Sequence, residues 1–497
     1  MPDICPVCDA GPEAFTLLGT LEESQRGKTG PQFEGTIVIL GAGPAGAAAA
    51  EAARKQSEKC RILVIGEEPA LPYNRCKLAL SLSDEALLSK APTGTLTDRA
   101  QGLVLHSAEW YKEHRIEVLT GCSVSGIDLD AHEVSVSDLE GTVQTHPFDR
   151  VVVCTGATPF VPDGLVTCDS ATVPYGGAAN VRAVRNLQDI LAIRASITHT
   201  TPPIHAVLVG GGVLALEALP PLLAALPPDS TVTVVEAAGH VLSKQLNKEN
   251  SDHFLSLMEA HLKDKVTFKL STKVMGVECC KREDGTVQAT QVRVKSNGVE
   301  STIPADLVLI GIGVRPSVPQ VKCAQESSLP FLSRGAVIVT SFAQSIAHQE
   351  IFAAGDCCLV EAQPYTATYS RALDTARVAG ANAASLDLSY GSLSAELPFL
   401  PAGYFGYQLR MWDVLMTSVG PAAEESDTVV QVPLKDGRAM CFFRDGVLAR
   451  AVLLGGKSTE SVGIALVQGV REEAERGDVL RLLEGQDQYT SRAIGYY

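Results

Sequence analysis

The chain has 497 residues, 45% hydrophobic and 20% charged, with 41 basic against 57 acidic side chains and a formal net charge of −16. At roughly 150 residues per domain that length holds about three domains, enough to bury a large core. So acidic a surface lacks the basic footprint of a general nucleic-acid binder, but phosphate ligands are not excluded, because helix N-termini and glycine-rich loops bind them through backbone N–H groups.

The segment Met1-Pro2-Asp3-Ile4-Cys5 has no basic stretch leading into an apolar one, so no secretory or Arg-rich transit leader is expected. No apolar run approaches the ~20 residues that span a bilayer. The 13 cysteines are odd in number and several lie in apolar runs, as Cys154 does. That pattern predicts reduced thiols and a cytoplasmic location. Residues 1–34, opened by Cys5-Pro6-Val7-Cys8, read as a small module and a linker.

At residue 35 the pattern changes. An apolar strand over 36–40 runs into Gly41-Ala42-Gly43-Pro44-Ala45-Gly46, then an Ala-rich helix over 47–55 and a strand over 61–65. The same order recurs roughly 170 residues later: a strand over 205–209, Gly210-Gly211-Gly212, a helix over 213–226 and a strand over 231–235. Pro220-Pro221 predicts a kink in that second helix. Two further strands, over 151–156 and 307–313, each end on a glycine turn, and a later segment, Ile351-Phe352-Ala353-Ala354-Gly355-Asp356, precedes a helix expected over 368–385. The last hundred residues alternate apolar and polar positions, with hairpin signals at Asp436-Gly437 and Asp445-Gly446. They predict a C-terminal α+β domain.

Gly41, Gly43 and Gly46 form GxGxxG between a strand and a helix. Glycine is needed there for the tight turn, for close approach to a pyrophosphate and for helix-on-strand packing. Glu67 ends the next strand, where a carboxylate accepts hydrogen bonds from a ribose. Gly210, Gly212 and Ala215 repeat the motif, and Glu236 ends the second strand. A carboxylate at that place bonds the 2′-OH of NADH and repels the 2′-phosphate of NADPH, so NADH is expected. Two dinucleotide sites suit a protein that holds a hydride donor against a flavin.

These residues resemble the pyridine nucleotide–disulfide oxidoreductase family, closest to its NADH oxidase, rubredoxin reductase, ferredoxin reductase and apoptosis-inducing factor branches. The resemblance spans about residues 36–420. Residues 67–75 resemble the family's E-x-P-x-x-P-Y-x-R segment along FAD, which brings in Arg75. Residues 151–159 are similar to its A-T-G-x-x-P strand, with Thr155 and Gly156 at the turn. Residues 210–217 resemble G-G-G-x-x-G-x-E, whose final acid, near flavin and nicotinamide, falls on Glu217. Residues 305–316 resemble the strand that carries Gly313, and Ala354-Gly355-Asp356 the segment whose Asp holds the FAD ribityl chain. The resemblance also implies that Val124 sits by the adenine.

Two positions depart from the family's pattern: its flavin-side lysine falls on Leu80 and its nicotinamide-side aromatic on Val213. No CxxxxC pair is present, which argues against a glutathione- or lipoamide-type disulfide reductase. Cys76 lies close to the place where some relatives carry one redox cysteine. It reads either as a catalytic thiol, in the positive field of Arg75 and Lys77, or as a packed small residue. Cys5 and Cys8 resemble half of a rubredoxin. Two thiolates are half of a tetrahedral iron or zinc site, so the pair reads as a vestige, as a half-site completed elsewhere or by a dimer mate, or as simple thiols.

The expected fold is α/β: two Rossmann-type domains, the FAD domain interrupted by the NADH domain, and a C-terminal α+β domain. The expected limits are 1–34 for the CxxC segment, 35–202 and 321–392 for the FAD domain, 203–320 for the NADH domain and 393–497 for the last. The expected activity is hydride transfer from NADH to FAD and electron transfer onward to an acceptor, such as a rubredoxin- or ferredoxin-like carrier. The alternatives are an oxidase or peroxidase using Cys76 and a redox-sensing flavoprotein with little turnover. NADH and a small redox protein are the expected partners; a homodimer is compatible with the pattern, and no nucleic acid or membrane span is expected.

Overall fold

The computed structural model describes residues 32–83, 100, 102–324, 331–386, 406–420, 424–456, 459–471 and 474–484. Cys5 and Cys8 lie outside them.

Two parallel five-stranded sheets carry the glycine turns. In the first the order is Ile351–Ala353, Arg150–Val153, Thr36–Leu40, Arg61–Gly66, Ile116–Thr120. In the second it is Val181–Arg182, Leu307–Ile310, His205–Val209, Thr231–Val235, Val266–Lys269. Each sheet places the strand before its glycine turn at the centre, flanked by the next strand on one side and a late-returning strand on the other. The edge strand Ile351–Ala353 comes after the whole second sheet in sequence, so the first domain is interrupted by the second.

The expected strands over 36–40, 205–209 and 231–235 appear with those limits. The first helix, Pro44–Gln56, starts three residues earlier than expected, because proline fits the first helical turn, where its missing N–H has no partner to lose. The second helix is one element, Val213–Ala225, running through Pro220 and Pro221. Those prolines leave the carbonyls of Leu216 and Glu217 without their i+4 donors, a weakness in the turn that carries Glu217. The closing helix of the first domain is Tyr369–Ala383.

The first Rossmann helix packs along the closing helix. A Cβ at Gly380 would overlap the Ala49 carbonyl oxygen, so the two backbones are nearly in contact. The C-terminal sheet is antiparallel, in the order Gly406–Met411, Val414–Val419, Val447–Gly456, Gly437–Arg444, Thr428–Leu434, with helices Glu460–Arg471 and Arg476–Glu484. Asp445 and Gly446 join two of its strands with positive φ at both residues, the hairpin geometry expected of Asp-Gly. Leu409, Met416, Met440 and Leu454 of this sheet share one apolar core with Leu216, Leu219 and Leu222 of the second Rossmann helix.

Gly380→Ala should therefore force two helices apart and cost about 1–3 kcal/mol, the usual penalty of overpacking. Thermal unfolding checks this; a midpoint equal to that of the wild type would show that the helix contact is not constraining.

Candidate functional site

Parallel strands deliver their carboxyl ends to one edge, and ligands of open α/β sheets bind there. At that edge of the first sheet lie Gly41, Glu67, Thr155-Gly156 and Asp356, each just beyond a strand. At the same edge of the second lie Gly210, Glu236 and Gly313. Four and three distant stretches of sequence are thus brought together.

The glycines of each turn do different work. Gly41 has φ +112° and donates its N–H to Ile65 O at 2.7 Å; a Cβ on it would overlap the Cys154 carbonyl. A Cβ on Gly46 would overlap the Gly41 carbonyl oxygen. The chain's own packing demands both. Gly43 differs: the nearest atom to a Cβ there is Arg75 Nε at 3.7 Å, an ordinary contact. In the second turn Gly210 (φ +107°) is pressed against the Gly311 carbonyl, with 2.5 Å from an added Cβ to its oxygen. Around Gly212 an added Cβ meets nothing within 4 Å. Ala215 takes the third position, buried, with 3.0 Å between its Cβ and one built on Gly311. Gly313 (φ +122°) also faces open space.

Gly43 and Gly212 are the N-caps of the two Rossmann helices, and neither helix has a side-chain cap or an acidic residue in its first turn. By contrast Asn186, Asn247 and Thr368 cap their helices with side chains. Uncapped first-turn N–H groups beside a glycine with no steric need inside the protein form a cradle for an external phosphate. These features fit a dinucleotide at each turn.

Around the first turn a charged network joins the predicted residues. Arg75 Nη2 is 2.5 Å from Glu68 Oε1, and Arg75 Nη1 donates to Arg185 O at 2.7 Å. Tyr73 donates its hydroxyl to Glu68 Oε2 at 2.6 Å and accepts the Leu187 N–H at 3.0 Å. Burial, chiefly, pushes the Tyr73 phenol well above its ordinary value, so it stays a donor. Arg185 Nη2 reaches Asp356 Oδ2 at 3.2 Å and lies 3.1 Å from the place of a Gly156 Cβ. Tyr365 donates to Asp356 O at 2.8 Å, and Gly355 N–H donates to Thr375 Oγ1 of the closing helix at 2.8 Å. Thr155 donates its hydroxyl to Ser317 O. Glu67 is exposed, and Val124 is half-buried on the strand Ser123–Asp128, against the first sheet's core. Sequence reasoning missed Glu68, Tyr73 and Arg185 as site residues. The first two stood inside the segment 67–75; Arg185 carried no local signal.

At the second turn Glu236 accepts Gly211 N–H at 2.6 Å through Oε2 and Ala238 N–H at 2.7 Å through Oε1. Each oxygen retains a further lone pair for a ligand hydroxyl. Glu217 is half-buried one helical turn on from Val213, and no hydrogen bond or ion pair reaches it among the described residues. Desolvation holds its carboxyl up at about 7. Leu80, 42% exposed, lies in the 3-10 turn Leu80–Leu82, which packs against the same helix. A leucine there supplies no countercharge to Glu217. Cys76 sits half-buried in the 3-10 turn Arg75–Lys77, its backbone N–H donated to Asn74 Oδ1 at 2.9 Å. Among the described residues no group of three or more His, Cys, Asp or Glu is placed to hold a metal ion, and no helix is long and apolar enough to cross a membrane.

Residues 35–383 match the family model described as pyridine nucleotide-disulphide oxidoreductase. Rhodocoxin reductase of Rhodococcus erythropolis is 30% identical over 322 residues, 65% of this chain, which spans 64% of that relative's length. The ferredoxin–NAD(+) reductase component of the p-cumate 2,3-dioxygenase system of Pseudomonas putida is 30% identical over 336 residues, 67% of this chain and 70% of that one. Among solved structures, the covalent putidaredoxin reductase–putidaredoxin complex is similar at a TM-score of 0.68 and 20% identity, over 92% of this chain and all of that one.

Glu217 makes stability depend on pH. Its carboxyl has an ordinary value of 4.5 and is raised to about 7 in the fold, so the folded chain holds the proton more tightly. The stability gained from that proton is complete below pH 4.5 and is lost as pH rises through 7. A shift of this size is worth on the order of 3 kcal/mol. Glu217→Gln, which cannot ionise, should gain in unfolding midpoint over the wild type between about pH 5 and 7 and then level off. A difference that stays flat across that range would place the carboxyl in contact with water or a countercharge.

Proposed function

The chain belongs to the pyridine nucleotide-disulphide oxidoreductase family, and from that premise we propose that it binds FAD at the first glycine turn and NADH at the second, and reduces a small iron–sulfur carrier. The observation that carries this reading is the pair Gly43 and Gly212. Each is a glycine at an uncapped helix N-terminus, and nothing among the described residues would meet a side chain there closer than 3.7 Å. A pyrophosphate is the group that needs such bare backbone.

Bound FAD would supply the electron exchange between NADH and the acceptor, and the protein's own part is to hold, orient and shield the reactants. In this reading Gly41, Gly43 and Gly46 cradle the FAD pyrophosphate, and Glu67 accepts from the ribose beside Val124. Arg75 is held by Glu68 and Arg185 against the same turn. Asp356, held by Arg185, accepts from the ribityl chain, with Thr155 and Gly156 beneath it. Gly210, Gly212 and Ala215 seat NADH, Glu236 accepts from its adenosine ribose, and Gly313 leaves room at the neighbouring strand end. Glu217 lies at the nicotinamide side as a neutral or singly charged carboxyl according to pH.

The ferredoxin–NAD(+) reductase relative supports an iron–sulfur protein as acceptor. A second reading, reduction of peroxide through Cys76, is favoured by the flanking Arg75 and Lys77 alone. Both readings are compatible with a reducing cytoplasm, and Cys5 and Cys8 would then serve at most in docking, or as half of an iron or zinc site shared by a homodimer.

Anaerobic stopped-flow tests the core of the proposal: NADH should bleach the bound flavin, and a ferredoxin or rubredoxin should restore its colour faster than oxygen or peroxide does. NADH should exceed NADPH in kcat/KM, and Glu236→Ala should narrow that preference by weakening NADH and easing the 2′-phosphate. Equal kcat/KM for the two cofactors in the wild type would refute the role of Glu236.

Gly212→Ala should leave the unfolding midpoint unchanged while lowering NADH affinity at least tenfold, about 1.4 kcal/mol. Unaltered NADH binding in that variant would remove the pyrophosphate from this turn. Deleting residues 1–30 should leave FAD content and flavin reduction intact, since the first strand begins at Thr36; loss of FAD would contradict this.

A further inference from the structure

Outside the nucleotide sites, two thiols stand side by side on neighbouring strands. Strand Val166–Cys168 runs parallel to Thr272–Lys281, with Val166 opposite Val277 and Cys168 opposite Cys279. Side chains directly opposite in adjacent strands share a face. That face is buried: Val166, Val277 and Cys279 belong to one apolar core, and Cys168 packs against its edge. Adjacent strands lie about 4.7–4.9 Å apart, inside the roughly 4.4–6.8 Å Cα separation that a disulfide tolerates. Both cysteines are free thiols. Cys168 is half-buried at the strand end, just before a turn with positive φ at Asp169 and Ser170, so small reagents reach it while Cys279 waits behind it. Cys280, exposed and next in the strand to Cys279, alternates to the opposite face; Cys154, Cys357 and Cys358, a second close group, are all buried and offer no such entry.

We infer that Cys168 and Cys279 are a reversible oxidation site, closing to an intrachain disulfide with a small-molecule disulfide such as glutathione disulfide as oxidant. In the first step the Cys168 thiolate attacks one sulfur of glutathione disulfide, forming a mixed disulfide and releasing one glutathione thiolate, which takes up a proton. In the second the Cys279 thiolate attacks the Cys168 sulfur and releases the second glutathione. Two protein thiols lose two electrons and two protons, and one glutathione disulfide becomes two glutathiones. The bond ties the crossover between the two Rossmann sheets to the long hairpin strand Thr272–Lys281.

The thiols are slow to ionise. Burial, helped by the neighbouring Cys168 and Cys280, pushes Cys279 up to about 11. Burial, Asp169 and Cys280 raise Cys168, against the opposing charge of Lys281. Closure should therefore accelerate about tenfold for each unit of pH, as the thiolate fraction does.

The test uses the full-length protein with its cofactors. It is incubated with glutathione disulfide at about pH 7 and pH 8, quenched by alkylation, digested without reductant and mapped by mass spectrometry. The expected result is a peptide joining Cys168 to Cys279, formed about tenfold faster at the higher pH and reopened by dithiothreitol. Cys280→Ser should still form it, whereas Cys168→Ser and Cys279→Ser should not. Glutathione remaining on Cys168, a Cys168–Cys280 link, or alkylation of both cysteines in the wild type would each overturn the inference. The wild-type measurement stands even if a serine variant fails to fold.

Discussion

Both candidate sites depend on backbone meeting backbone at the carboxyl edge of a parallel sheet. Gly41 lies against the Cys154 carbonyl, and Gly210 against that of Gly311. Each contact is between a glycine turn and the strand that returns to the sheet only after a long excursion in sequence. A side chain at either glycine would displace that strand, and with it Thr155-Gly156 in the first sheet or Gly313 in the second. The closing helix adds a third contact of the same kind, Gly380 against Ala49, and Gly355, just before Asp356, is bonded to Thr375 of that helix. The parallel ladders bring the site residues to one edge, and these close backbone contacts set which positions there must be glycine.

The charges at the first turn are arranged differently from those at the second. Glu68 and Asp356 flank Arg75 and Arg185, two acids around two bases, and each is bonded to the next through a side chain or a backbone carbonyl. Half-buried charges are tolerated when so paired; breaking one pair leaves its partner desolvated and unmatched. Arg185 also carries the connection between Arg75, from the segment after the second strand, and Asp356, from beyond the fifth. Among the described residues Glu217 at the second turn has no such partner, and the leucine at position 80 cannot provide one. Desolvation then acts unopposed and moves its ionisation to near neutrality. The helix beneath it is weakened by two internal prolines.

The C-terminal sheet is not an independent appendage. Its Met416, Met440 and Leu454 complete the core under the second Rossmann helix, and Arg438 reaches Glu249 at 3.2 Å across the same interface. The position of Glu217 and of the second glycine turn is thus braced from two sides, by its own sheet and by a distant one.

The two β–turn–α units, their roughly repeated spacing, the glycines of each turn and the acid that ends each second strand are all written in the order of residues. Those features are local: hydrophobic period, turn chemistry and motif spacing are all properties of neighbouring residues. The Asp445-Gly446 hairpin of the C-terminal sheet was legible for the same reason, whereas the neighbouring hairpin turns at Lys435-Asp436, one residue before the Asp436-Gly437 signal. Tertiary packing sets which glycines the chain needs for itself and which it leaves bare, since that depends on the strand packed opposite. It also places Arg185 between Arg75 and Asp356 and sets Cys168 facing Cys279. None of these follows from neighbours in sequence, because each is a contact between segments up to 171 residues apart, fixed by the order in which parallel strands return to their sheets.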